Sequence, residues 1–148
     1  MKFQRESVCS GLIDELKPLL RLHFDESEHF KDIPLDPDFE QYQKLDEAGM
    51  LRVFTVRVDK ELIGYSILFV MTSIHHKQSI HANHDVLFIH KEHRGIGSMF
   101  IKYCDEQLEA EGVDVVYQST KLSYDFGKML NRIGYEHVDN VYYRKLKG

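Results

Sequence analysis

The stretch Val86-Leu87-Phe88-Ile89-His90-Lys91-Glu92-His93-Arg94-Gly95-Ile96-Gly97-Ser98-Met99-Phe100-Ile101 decides the fold. Four apolar residues suited to a buried strand run into a charged segment, then a glycine-spaced turn, then apolar residues at helical spacing. The reading is strand, turn, helix. Gly95 and Gly97 carry no Cβ, so the backbone there is free to take unusual dihedrals and to come close to a ligand. The first amides of a helix have no partners inside it, and together with the positive end of the helix dipole they favour an anion such as phosphate. Arg94 at the mouth adds a charge-assisted donor.

Two spaced glycines also fit an ordinary turn, and the Rossmann fingerprint fits poorly. Only two of its three glycines are present, and no acidic residue ends a following strand at the expected distance. With 148 residues the chain has the size of one domain, 1–148, long enough to bury a core. Apolar residues make up 43% and charged residues 29%, a balance that suits a soluble globular protein rather than a disordered one. No apolar run reaches the length of a bilayer span, and Met1-Lys2-Phe3-Gln4-Arg5-Glu6 lacks the apolar centre of a signal peptide. A cytoplasmic location without membrane contact is therefore expected. Cys9 and Cys104 are too few and too far apart for a disulfide framework and read as free thiols. The net charge of −5 argues against nucleic acid as the main partner and suits an amine or another cation. Lys91, Arg94 and Lys102 reverse that sign around the turn, as an anionic ligand requires.

Outward from this centre, Leu12, Ile13, Leu16, Leu19, Leu20 and Phe24 follow a helical period, with Ser10 as N-cap and Pro18 as a kink or restart. Asp25 to Glu40 reads as a carboxylate-rich loop with Pro34 and Pro37, followed by a helix from about Asp38 to Ala48 that stops at Gly49. Leu51–Val58 and Leu62–Met71 form a hairpin about Asp59-Lys60. Thr72 to His84 reads as irregular and histidine-rich. After the glycine turn, Phe100, Ile101, Cys104 and Leu108 share one helix face, ending near Gly112. A strand over Val113–Gln118, a short helix capped by Ser123 or Asp125 and closed by Gly134, and a last strand over Val138–Leu146 complete the chain. The expected class is α/β (α+β): one mixed, mostly antiparallel twisted sheet flanked by helices.

The order of elements and the central stretch resemble the GCN5-related N-acetyltransferases. That family's cofactor segment reads Arg or Gln, two residues, Gly, one residue, then Gly or Ala. Arg94 and Gly97 occupy the first and fourth positions, and Met99 departs at the sixth. Leu130-Asn131-Arg132-Ile133-Gly134-Tyr135 aligns with the family's Tyr-Glu-Lys-Leu-Gly-Phe segment, and its frequent tyrosine falls on Leu130. His23-Phe24-Asp25-Glu26, and Ile74-His75-His76 before Asp85, look like an uncharacterised branch common in bacterial and phage genomes.

The resemblance implies direct transfer of an acetyl group from acetyl-CoA to an amine of a small molecule or protein, with no acyl-enzyme. It implies that backbone groups of Phe88 and Ile89 lie along the pantetheine arm, and that Arg94, Gly95, Ile96, Gly97, Ser98 and Met99 hold the pyrophosphate. Asp85, just before the cofactor strand, is a candidate to take the amine proton. His76 and His84 are alternatives with unperturbed pKa values of ~6.5. Tyr124 is the nearest substitute donor to the thiolate, and His23 and Glu26 are read as shaping the substrate site. Homodimers are common for such folds. Two other classes of answer stand beside this one. One is a non-catalytic acyl-CoA-binding module of the same fold, and the other a metal protein built on His75, His76, His81 and His84.

Overall fold

A computed structural model describes the whole chain, Met1–Gly148. At the centre of its sheet lies the hairpin expected about Asp59-Lys60, formed by β2 (Leu51–Val58) and β3 (Glu61–Thr72). Asp59 and Lys60 both take positive φ, 50° and 71°, the twist that a two-residue hairpin turn demands. β1 (Lys2–Arg5) pairs antiparallel with β2, β4 (Ile80–Ile89) antiparallel with β3, and β5 (Val115–Tyr117) parallel with β4. The result is a mixed, mostly antiparallel sheet in the order β1-β2-β3-β4-β5.

β2 and β3 are buried on both faces, because helices cover the sheet from either side. On one face α1 (Ser10–Ser27) brings Leu12, Leu16, Leu19 and Leu20 onto Leu51, Val53, Tyr65, Ile67 and Phe88. α2 (Phe39–Glu47) adds Phe39, Tyr42 and Leu45 at the edge of the same cluster. On the other face Phe100, Cys104 and Leu108 of α3 (Gly97–Ala110) meet Phe54, Val56, Leu68 and Val70. Arg57 clamps β1, α1 and β2 by pairing with both Glu6 (2.9 Å) and Glu15 (2.6 Å). Burial alone would raise the Glu6 pKa, but its bonds to Arg57, Thr55 and Gln4 pull it net below the usual value. No helix is long and apolar enough to cross a membrane.

Several local expectations hold. Asp38 caps α2, its side chain accepting from Gln41 N at 3.0 Å, and Gly49 follows the helix with φ 74°. Gly112 and Gly134 close α3 and α4 (Gly127–Arg132) with φ 97° and 106°. The restart expected at Pro18 does not occur: α1 runs through it as one helix, Ser10–Ser27. β1 was not anticipated, since four residues are too few to display a period. The histidine-rich segment is not irregular throughout: β4 begins at Ile80, and a seven-residue turn closes with Ser73 N donating to Ser79 O at 2.9 Å.

The last expected strand does not form. Val138, Tyr142 and Leu146 are 71%, 89% and 83% exposed, and no strand lies beside them to take up their backbone groups. Strand propensity records fit to a neighbour, and alternation in the sequence cannot supply one. Instead the tail crosses to the segment after α1, where Tyr143 stacks on Phe30 and Lys145 pairs with Asp32.

At Gly64 of β3 the backbone of β4 leaves no room for a side chain: an added Cβ would lie 2.8 Å from the Phe88 carbonyl oxygen. Gly64→Ala must push the two strands apart and is expected to cost about 1–3 kcal/mol in urea unfolding. Gly95→Ala, facing open space, stays within about 0.5 kcal/mol of the parent.

Candidate active site

β5 accompanies β4 for three residues only, pairing with His81, Ala82 and Asn83. Beyond Asn83 that edge of β4 has no neighbour. A cavity of about 250 Å³ opens there, lined by every residue from His84 to Ile89, by His23, Phe24 and Glu26 of α1, and by Lys121, Tyr124, Phe126 and Met129 opposite. The strand is also irregular at this point. Val86 pairs with Ile67 and His84 with Leu68, so Asp85 is the extra residue of a β-bulge. Bulges bend a strand and redirect a side chain, and this one lies in the cavity wall.

Three polar contacts build that wall. Tyr42 donates its hydroxyl to Asp85 Oδ2. His23 Nδ1 lies 3.2 Å from the Tyr65 hydroxyl, and His84 Nδ1 lies 3.0 Å from Gln118 Oε1. Burial raises the Asp85 pKa, opposed by the Tyr42 bond and the nearby His84. Burial lowers the His84 pKa, and the Gln118 bond and Asp85 offset part of that. His23 is pushed down to about 4, by burial first and by the charge of His84 second. At neutral pH both imidazoles are therefore uncharged.

At the mouth, Arg94 is not the free donor expected of it. Its guanidinium is held by both carboxylate oxygens of Glu26, at 2.5 and 2.6 Å, while its Nε donates to Ile89 O at 3.0 Å. The Tyr124 ring lies 4.5 Å away. A 3₁₀ segment, Lys91–Ile96, leads from Arg94 into α3, whose N-terminus no side chain caps. Gly97 takes ordinary helical angles, φ −54° and ψ −47°, and Gly95 has no positive φ either. A Cβ at 97 would meet Met129 and Ile89 only at ordinary van der Waals distances, 3.5 and 3.9 Å, so neither dihedral nor packing within the fold calls for glycine there.

Of the residues singled out in the sequence, Asp85, Tyr124, Phe88, Ile89, Arg94 and Gly97 line the one cavity, together with His23, Glu26 and His84. Gly95, Ser98 and Met99 flank it without lining it, Met99 being 54% exposed, and Ile96 is buried in the core. His76 is not brought there. It sits exposed in the turn between β3 and β4, beside Lys77 and Gln78, because β4 starts earlier than expected and carries that turn away. The histidines do not converge on a metal either. No three His, Cys, Asp or Glu side chains form a ligand set, and His81 spends both ring nitrogens on Ser79 and Tyr117. Cys104 lies in the core with its thiol pushed well up by burial. Tyr42, Tyr65 and Lys121 escaped notice in the sequence. They reach the site from elements 40 or more residues from His23 or 30 from Asp85, and no local pattern announces such a contact.

No protein-family model and no curated protein matches the chain. Solved structures do. An aminoglycoside acetyltransferase from an uncultured soil metagenomic sample, in complex with sisomicin, superposes with TM-score 0.72 at 20% identity, over 97% of this chain and 95% of that one. A ribosomal-protein-alanine N-acetyltransferase from Brucella melitensis biovar Abortus 2308 gives 0.72 at 17% identity, over 99% and 100%. A predicted acetyltransferase from Clostridium acetobutylicum, with acetyl-CoA, gives 0.69 at 9% identity, over 98% and 96%. The fold is that of the GCN5-related N-acetyltransferases.

The half-buried His23 makes stability depend on pH with a definite sign. Its folded pKa of about 4 lies below the reference 6.5, so between these values the unfolded chain binds more protons. The stabilisation from keeping His23 neutral is complete above about 6.5 and is lost as the pH falls toward 4. Relative to His23→Gln, the wild type should lose about 2–3 kcal/mol over that interval in urea unfolding at stepped pH.

Proposed function

We propose that this chain is an acetyl-CoA-dependent N-acetyltransferase that modifies a primary amine, its residues 1–148 acting as one catalytic domain. The observation that carries the reading is the unpartnered edge of β4, which runs from a bulged carboxylate at Asp85 and leads, through the 3₁₀ segment Lys91–Ile96, to the uncapped N-terminus of α3. An exposed strand edge offers backbone donors and acceptors to an amide-bearing chain such as pantetheine. A helix start with glycine at its first position favours a pyrophosphate. The fit of the residues to this donor rests on those two features, and the acetyltransferase fold adds to it.

In this reading backbone groups of Phe88 and Ile89 hold the pantetheine arm, and Arg94 with the amides of Gly95 to Met99 holds the pyrophosphate. The bound donor supplies an activated acetyl thioester. Asp85 takes a proton from the acceptor's ammonium, leaving a nitrogen lone pair free to attack. Tyr124, beside Arg94, returns a proton to the departing sulfur. Burial keeps Asp85 a better proton acceptor than a solvated aspartate. Neutral His23 and His84 add no positive charge to repel a cation, and Glu26, Glu28 and Asp85 place three carboxylates around the cavity. With Cys104 sealed in the core, direct transfer is favoured over an acyl-enzyme.

Isothermal titration with acetyl-CoA should give saturable one-site binding. Glu26→Gln, which releases Arg94 while keeping the side chain's size, should tighten it roughly fivefold, the equivalent of about 1 kcal/mol for a partly exposed ion pair. No binding by either folded protein would refute the reading.

A further inference from the structure

α2 contributes nothing to the strand-turn-helix unit, yet it is fixed more firmly than its short length requires. Asp38 caps its start, and Asp46 near its end accepts from Val8 N at 2.9 Å. Tyr42 and Asp46 stand four residues apart and so share a helix face. Between the cap and this tether, the Tyr42 ring packs beside Phe39 and the α1 core cluster, and its hydroxyl is delivered to Asp85, 43 residues away. Asp85 makes no other side-chain hydrogen bond. No buried side-chain oxygen in the protein lacks a partner, so Oδ1 must open to the cavity that Asp85 lines.

We infer that Tyr42 is a positioning residue: by binding Oδ2 it fixes the direction of the Asp85 carboxylate and leaves Oδ1 as the atom that receives the acceptor's proton. The inference rests on the acetyltransferase reading for the identity of that acceptor. A carboxylate on a bulge has lost the regular register of its strand, and one anchored oxygen removes the remaining rotation. Tyr42 is suited to this because burial, together with the Asp85 charge, raises its own pKa above the usual phenol range, keeping it a donor. The other titratable groups facing Asp85 are Tyr65 on β3, His84 on β4, and His23 and Lys121 across the cavity. None of them makes a hydrogen bond to its carboxylate. One proton moves in the step, from the ammonium nitrogen to Oδ1, while the Tyr42 proton stays on its own oxygen.

The test is the titration of the Asp85 carboxyl carbon by NMR in wild type and in Tyr42→Phe. Loss of a bond to the ionised form should raise the midpoint by about one to two pH units. An unchanged midpoint in a folded variant overturns the inference. Should Tyr42→Phe fail to fold, the wild type itself gives the answer: the Tyr42 hydroxyl proton should resonate downfield, and Asp85→Asn should move it back. A resonance identical in the two proteins overturns the inference equally. With an acceptor in hand, the acid limb of kcat/KM should move up with the carboxyl midpoint in Tyr42→Phe, while affinity for acetyl-CoA stays unchanged. The titration requires no acetyl transfer. Failure to bind acetyl-CoA would thus count against the proposed function, whereas an unmoved midpoint would count against Tyr42.

Discussion

Everything at the candidate site depends on where β5 stops. After pairing with Asn83 it leaves β4, and six residues of a central strand are left with one edge bare. A bare edge is usually a liability, since its backbone groups invite another chain. Here the edge lies inside a cleft, walled by α1 on one side and by the Lys121–Met129 segment on the other. The bulge at Asp85 and the backbone that Gly64 of β3 approaches closely, at Phe88, both fall on β4. One of the sheet's two register shifts thus lies in the cavity wall, the other at Val56/Arg57 of the β2–β3 hairpin, while β2 and β3 carry both cores.

Charge is arranged in opposition. The chain is acidic overall, and the cationic residue best placed to meet an anion, Arg94, is occupied by an internal carboxylate. The pairing with Glu26 joins the end of α1 to the entrance of α3 across the mouth, and both side chains remain partly exposed. Any anion seated at Arg94 has to compete with Glu26 and sets that carboxylate free beside the cavity. Under the proposed function, binding of a donor and recruitment of a cationic acceptor would be linked by one side chain. The interior wall follows another principle: burial suppresses the charge of His23 and His84 and raises the proton affinity of Asp85.

Much of the scaffold was legible because it is local. Asp59-Lys60 marks its hairpin, Asp38 and Gly49 bracket α2, and the spacing from Phe100 to Leu108 sets the buried face of α3. The strand-turn-helix unit follows from sixteen consecutive residues. What escaped depends on distant partners. The Val138–Leu146 segment alternates like a strand but meets none, and β4 extends back to Ile80 because β3 continues beside it, despite its histidines. The glycines at 95 and 97 suggested unusual dihedrals, whereas neither takes a positive φ and Gly97 sits in an ordinary helical turn. Asp85 was recognised as a candidate, but the residue that holds it lies on α2, and the ion pair occupying Arg94 comes from α1. His76, close to Asp85 in sequence, was carried off by a turn.

The central claim is that the bare edge of β4 and the start of α3 together seat an acyl-CoA donor. The most direct measurement is amide NMR of the labelled protein during addition of CoA, with each perturbed residue assigned. The account predicts that the perturbations cluster at Phe88, Ile89 and residues 94–99, leaving the turn around His76 unmoved. Perturbations confined to that turn or to the C-terminal tail, with β4 and α3 silent, would contradict it.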